Sequence, residues 1–566
     1  MNGAILLLLA AAWLVVAYVW YGKRTIQRRL MEPLDGEGTP AVVKNDGVDF
    51  CPAHPMVLFG HHFSSIAGAG PIVGPIIAAA AFGWGPALLW PLLGGVFIGA
   101  VHDYLSLMLS VRHGGTSIPD IADRYVSRRA RLLFMIFVEL ALILVVAVFA
   151  AITAKMFVTT PEIVIPTFGA IPVAMVFGLF QYRWAGVGGP LWLRTLLAFG
   201  ALVALIYVGF LVPLALPFDG DTAYMVWFVA LMIYGYFASI LPVWILLQPR
   251  DYISSWVLIV GTLLALIGIA VTHPEMSLAL TGDAVTAAAG AKLPLFFRWS
   301  DPEVGPIVPF LFIIIACGAI SGFHSIIAGG TTSKQLTKEK DAMLVSFGAM
   351  LTESLIAVIA VIAAAGALFW VGEGSLTAVM KSGSPIGVFG AGFGRFTEFL
   401  FGQKVGALVG ITMINIFVMT TLDTTVRLGR FLTVEMAGGA FPILKRNRHL
   451  ATLVPIIPAF LLGVSGGWKT VWPVFGAANQ LVGALVFIIL TSYLYSRGKP
   501  IRYTLWATIF MLVMTIGALL FLAHGYLIGE KPQYVLGVIS VVLVILAVMM
   551  ATEGMKLVTG NHSVKK

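Results

Sequence analysis

The chain has 566 residues, 59% of them hydrophobic and 11% charged, with a mean hydropathy of +0.97. Soluble domains carry about a quarter charged residues, so this composition excludes a soluble globular fold. The net charge of +9 is read as the Lys and Arg surplus of cytoplasmic loops, and no nucleic-acid partner is expected.

Apolar runs of about 20 residues recur from end to end, each long enough to cross a hydrocarbon core of about 30 Å as a helix. A transmembrane β-barrel would instead show alternating segments of about 10 residues. The expected class is an all-α polytopic membrane protein with the lipid bilayer as its surroundings. The first run, 3–21 (GAILLLLAAAWLVVAYVWY), has no basic stretch before it and is followed by KRTIQRR. It reads as a retained helix with the N-terminus outside, not as a cleaved signal peptide.

Residues 51–54 (CPAH) and the neighbouring His61 and His62 bring soft-metal ligand types close together in sequence. Cys51, His54, His61 and His62 are therefore a candidate metal set. The Cys-x-x-Cys-His pattern of haem attachment is absent, and two cysteines, Cys51 and Cys317, exclude a disulfide framework. The next runs lie near 64–82, 85–111, 131–157, 163–181, 191–217, 222–248 and 253–273, then 305–330, 341–372 and 404–430. Four more follow near 450–466, 471–494, 503–525 and 533–553. This gives about fifteen transmembrane helices. The stretch 384–402 (SPIGVFGAGFGRFTEFLFG) holds Arg395, Glu398 and many glycines and is expected to be re-entrant or interfacial. With that choice most of the 35 Lys and Arg fall on one side and the C-terminus is cytoplasmic.

Four carboxylates fall within these runs: Asp103, Glu139, Glu353 and Asp423. An ionisable group in hydrocarbon costs at least about 2.5 kcal/mol, so each should face a bundle interior or a wet pathway. Asp423 precedes Arg427 by four residues, the spacing of an intrahelical ion pair. Asp103 and His102 diverge by about 100° on a helix, so the two are expected to meet different partners. Imidazole titrates near pH 6.5, which adds His62, His102 and His324 to the proton-coupling candidates.

The stretch GHHFSSIAGAGPIVGP at 60–75 puts helix breakers inside an apolar run, and GAISGFHSIIAGGTTSKQ at 318–335 reads similarly. Ser64 and Ile66 align with Ser325 and Ile327, with a histidine and a glycine-rich break in each. Discontinuous helices in corresponding positions of two inverted halves are how transporters present backbone to substrate. The interrupted segments 64–71 and 321–331 are thus expected to hold the substrate site. Its candidate residues are Ser64, Ser65, Gly68, Gly70, Ser321, Ser325, Gly329 and Thr331, with Asn479 and Gln480 as further polar contacts. The organisation expected is an N-terminal helix and linker at 1–50, a first repeat at 51–304, a second at 305–445 and C-terminal helices at 446–566.

GHHFSSIAGAGPIVGP, GAVHDYLSLMLSVRHGG, LPVWILLQPRDYISSW, GFHSIIAGGTTSKQL, TTLDTTVRLGRF and PVFGAANQL together resemble the carbon starvation protein A (CstA) family of bacterial inner-membrane transporters. The resemblance spans residues 30–520 and leaves out CPAHP. It implies a secondary transporter, not an enzyme, taking up short peptides or pyruvate with protons by alternating access. It also implies a fold similar to the amino acid–polyamine–organocation (LeuT-like) superfamily, with no cofactor expected beyond the possible metal ion. The alternatives are a metal- or haem-binding membrane protein and a passive channel or sensor. No P-loop is found, which argues against ATP-driven pumping.

Overall fold

The computed structural model describes residues 1–34, 38–46, 50–182, 190–242, 245–280, 290–372, 374–382, 384–530 and 532–558. Among them twelve helices are long and apolar enough to cross a membrane, and Pro55–Ile66 with Gly70–Phe82 passes the same test as a pair bent by 44°. The strands Ser300–Asp301 and Gly305–Pro306 make one small ribbon, so the helical class expected from composition holds.

The bend at 67–69 follows from local chemistry. Pro71 has no N–H to give and its ring crowds the carbonyl four residues back. Gly68 and Gly70 add no side chain to hold the helix straight. The run expected at 305–330 is also interrupted, but at a different place. Its helices are Ile307–Ile314 and Gly322–Gly330, and the break is 315–321. The segment 321–331, expected to be the broken part, is therefore mostly helix. Gly329 and Gly330 lie within it and serve packing, since a Cβ on Gly330 would come 2.9 Å from Leu428.

The two half-helices that share the SxIAG pattern lie antiparallel with their ends together. Ala53 bridges Leu336, Cys51 N donates to Lys334 O at 3.1 Å, and Thr337 Oγ1 donates to Ala53 O at 2.8 Å. One precedes its break and the other follows it. An inverted repeat would pair the half before one break with the half before the other. The sequence match is therefore not the trace of that symmetry.

Arg448–Ser496 is helical along its length, yet its two ends lie at one end of the molecule. Arg448 Nη1 donates to Ile240 O at 3.2 Å, while Tyr493 packs on Tyr125 and His113. The helix Gln403–Ala437 links these places, with Arg427 donating to Ala238 O and Glu435 accepting from Ser117. The stretches Arg448–Val464 and Val471–Ser496 thus run in opposite directions. The returning helix, Val471–Ser496, is buried along its most apolar stretch and exposed only near its end, where Tyr495 faces out. Residues 385–396, by contrast, form a 12-residue helix, shorter than the roughly 20 residues a crossing needs.

Candidate functional site

The two breaks meet in the middle of the helix bundle, and small residues make the approach possible. A Cβ on Gly70 would lie 2.5 Å from the Cys317 side chain, and one on Gly74 would lie 2.2 Å from Ile314 O. From a third helix, a Cβ on Gly99 would lie 2.3 Å from Ala319 O, and from a fourth, one on Gly476 would lie 2.8 Å from Ile313 O. The second break has no proline; Asn479 stabilises it. Its Oδ1 accepts from the Phe323 amide at 3.0 Å, capping the Gly322–Gly330 half-helix, and from Ser321 Oγ at 3.1 Å.

At the first break the next backbone amides, of Ala69 and Gly70, open the Gly70–Phe82 helix, where the dipole favours an anion. Two buried hydroxyls, Ser65 Oγ and Thr421 Oγ1, have no hydrogen-bond partner. Thr421 stands against Gly68, whose Cβ would meet its Oγ1 at 2.9 Å. Such orphaned polar groups are rare in a protein interior and need a reason.

Among the expected substrate residues, Ser65, Gly68, Gly70, Ser321 and Asn479 fall at or beside the breaks. Gln480 Nε2 donates to Phe312 O at 2.8 Å, in the half-helix before the second break. Ser64 is occupied otherwise, its hydroxyl lying 3.2 Å from His61 O and 3.3 Å from Asp251 O. Ser325 bonds Gly322 O and Thr331 bonds Ile327 O within their own turns. Gly329 and Thr331 instead line cavities at the opposite end of that half-helix. The larger, of about 400 Å³, is bounded by Lys44, Ser117, Asp120, Gly329, Lys334 and Glu435. The smaller, of about 30 Å³, includes Cys51, His61, Thr331, Lys334, Thr424 and Arg427. Gly330, Lys334, Leu428 and Phe431 line both.

The ionisable candidates sort into two buried centres and one isolated group. In the first centre Asp103 bridges two histidines, with His102 Nδ1 at 3.0 Å and His324 Nδ1 at 2.8 Å. The expectation that His102 and Asp103 meet different partners is thus wrong: the short carboxylate turns back to its neighbour while its second oxygen reaches across. His324 Nε2 lies 3.3 Å from Glu353 Oε2. Nearby, His62 Nδ1 contacts Thr332 Oγ1 at 2.8 Å.

In the second centre Asp423 is bound by Arg250, at 2.6 Å from Nη1 and 2.9 Å from Nη2, and by Tyr234 Oη at 2.9 Å. It does not pair with Arg427 as its spacing suggested. The last carbonyls of the helix Gly220–Ile240 have no intrahelical partner, and Arg427 is drawn to Ala238 O at 2.8 Å and to Leu241 O. Asp251, beside Arg250 at the start of the helix Leu247–Thr272, takes His61 Nδ1 at 2.9 Å. The charged pair interrupts the apolar sequence between the runs 222–248 and 253–273, which predicts a loop there; the structure buries both residues. Glu139 stands apart, accepting from Thr433 Oγ1 at 3.0 Å.

The candidate metal set Cys51, His54, His61 and His62 is not gathered. His54 Nδ1 caps its own helix by accepting from Met56 N at 3.3 Å. His61 and His62 turn to Asp251 and Thr332 on different helices. Adjacent residues on a helix diverge by about 100°, which is what separates this pair.

The carbon starvation protein CstA family matches residues 2–370 and 371–519. A peptide transporter CstA of Campylobacter jejuni is 31% identical, covering 91% of this chain and 79% of its own. That of Bacillus subtilis is 30% identical over 98% and 97%, and the pyruvate/proton symporter BtsT of Escherichia coli 30% identical over 90% and 81%. A solved manganese transporter of Eremococcus coleocola covers 91% of this chain at 11% identity, with a TM-score of 0.47.

Proposed function

The chain belongs to the carbon starvation protein CstA family, and from that premise we propose that it is a secondary transporter importing short peptides or pyruvate with protons. The observation that carries the site is the crossing of the two breaks, with the orphaned hydroxyls of Ser65 and Thr421 beside it. Peptides and pyruvate share a carboxylate, which the open amides of Ala69 and Gly70 suit, with the two hydroxyls as further donors. The chain crosses the inner membrane of a bacterium about fifteen times, with its N-terminus outside and C-terminus inside. It forms inverted repeats over 51–304 and 305–445 of the amino acid–polyamine–organocation kind, and the second break is taken at 315–321. Movement of the half-helices about the breaks would open the site to one side at a time.

We assign the coupled proton to the His61–Asp251 pair. It joins the first half-helix to the helix Leu247–Thr272, packed so closely that a Cβ on Gly60 would meet Ser255 Oγ at 2.6 Å. His61 also lines the small cavity near Lys334. His61 Nε2 and Asp251 Oδ1 are buried without partners.

The test is uptake of labelled pyruvate and of di- and tripeptides into proteoliposomes, with and without an inward-directed proton gradient. No gradient-stimulated uptake of either class would sink the transport reading. Asp251→Asn is expected to abolish the stimulation while substrate exchange across the membrane persists; stimulation equal to wild type would remove the pair from coupling. Ser65→Ala is expected to raise KM about fivefold, the equivalent of one hydrogen bond of about 1 kcal/mol, at unchanged yield. An unaltered KM would take Ser65 out of the site.

A further inference from the structure

Cys317, His324 and Glu353 come from the second break, the half-helix after it and the helix Glu339–Ala367, and each offers a ligand atom within 4.8 Å of the other two. All three residues are buried. In a tetrahedral site with bonds of about 2.0–2.3 Å the ligand atoms lie some 3.3–3.8 Å apart, and His324 Nε2 is already 3.3 Å from Glu353 Oε2. His324 Nε2 and both Glu353 oxygens have no hydrogen-bond partner; apart from the 3.3 Å approach of Nε2 to Oε2 these buried atoms of ligand type are unsatisfied, while the Cys317 sulfur lies 3.6 Å from Ser321 Oγ.

The surroundings are those of a metal centre. A ligating histidine commonly gives its other ring nitrogen to a carboxylate, which fixes the ring and raises its basicity. Here Asp103 Oδ2 holds His324 Nδ1 at 2.8 Å, and His102 in turn holds Asp103 Oδ1 at 3.0 Å. The sulfur is supported as well, with Asn479 Nδ2 directed at Cys317 Sγ from 3.6 Å, a donor that favours the thiolate. We propose that Cys317, His324 and Glu353 bind a divalent transition-metal ion of the zinc class, with Asp103 and Asn479 as positioning residues. Sulfur with imidazole selects that class over magnesium or calcium, which take oxygen. One thiolate, one carboxylate and a neutral imidazole offset the 2+ charge, and binding releases the thiol proton to solvent. Three protein ligands leave the fourth position for water or a substrate carboxylate.

The experiment uses the full chain in detergent, stripped with chelator and titrated with Co2+ as an optical stand-in for Zn2+. Wild type is expected to take up one equivalent with thiolate-to-cobalt charge-transfer absorption and tetrahedral d–d bands. Cys317→Ser should lose the charge-transfer absorption, and Cys51→Ser should keep it. Asp103→Asn should retain the band with about 10–100-fold weaker affinity, which a merely structural aspartate would not produce. These readouts need no transport activity. A wild-type chain that binds no stoichiometric Co2+, or a band that survives in folded Cys317→Ser, overturns the site.

Discussion

Asp423→Asn is expected to destabilise the protein by about 3–5 kcal/mol, the cost of stranding one partner of a buried ion pair. Arg250 exposes 3% of its side chain and Asp423 none, and the two share a bidentate contact that Tyr234 completes. An amide keeps the shape and the hydrogen-bond acceptor but removes the charge that offsets the guanidinium. These three side chains come from the helices Leu247–Thr272, Gln403–Ala437 and Gly220–Ile240, so the loss loosens three elements together. The damage should come from the stranded charge, not from the missing pair. A double variant, Arg250→Met with Asp423→Leu, is therefore expected to recover most of the stability, because apolar replacement of a whole buried pair is often neutral. Thermal unfolding in detergent measures both. A single variant as stable as wild type would mean that water reaches the pair.

What the sequence made legible was local, and what it hid was held from a distance. Apolar run length placed the helices, and the GAGP cluster at 68–71 placed the first break because glycine and proline act on their own backbone. The second break has no such signal. ACGAIS at 316–321 is ordinary apolar sequence, and the break depends on Asn479, a side chain 158 residues from Ser321. The double glycine at 329–330 mimics a break instead, because glycine also appears wherever two helices need to touch. Charged residues misled in the same way. Arg250 and Asp251 read as a loop because their partners, Asp423 and His61, are distant in sequence. Cys317 entered only as half of a cysteine count. Its value lies in three neighbours that no spacing rule connects.

Gly74→Ala tests the crossing on which both the substrate site and the metal site depend. The added Cβ would stand 2.2 Å from Ile314 O, a backbone atom with no rotamer through which to yield. The two broken helices would have to part, and overpacking of a fitted interior costs typically about 1–3 kcal/mol and occasionally more. Because the obstacle is backbone, the upper end is expected, with loss of most correctly folded protein and of uptake in what remains. A second glycine supplies the control: Gly517, in the helix Arg502–Ile528, has nothing within 4 Å of its would-be Cβ. Gly517→Ala should be neutral or slightly stabilising, since alanine is favoured over glycine in a helix by about 1 kcal/mol. Equal yield and uptake for the two variants would show that the helices do not touch at Gly74. Loss at Gly74 with Cys317→Ser folded and active would separate the packing of the crossing from any role of the sulfur beside it.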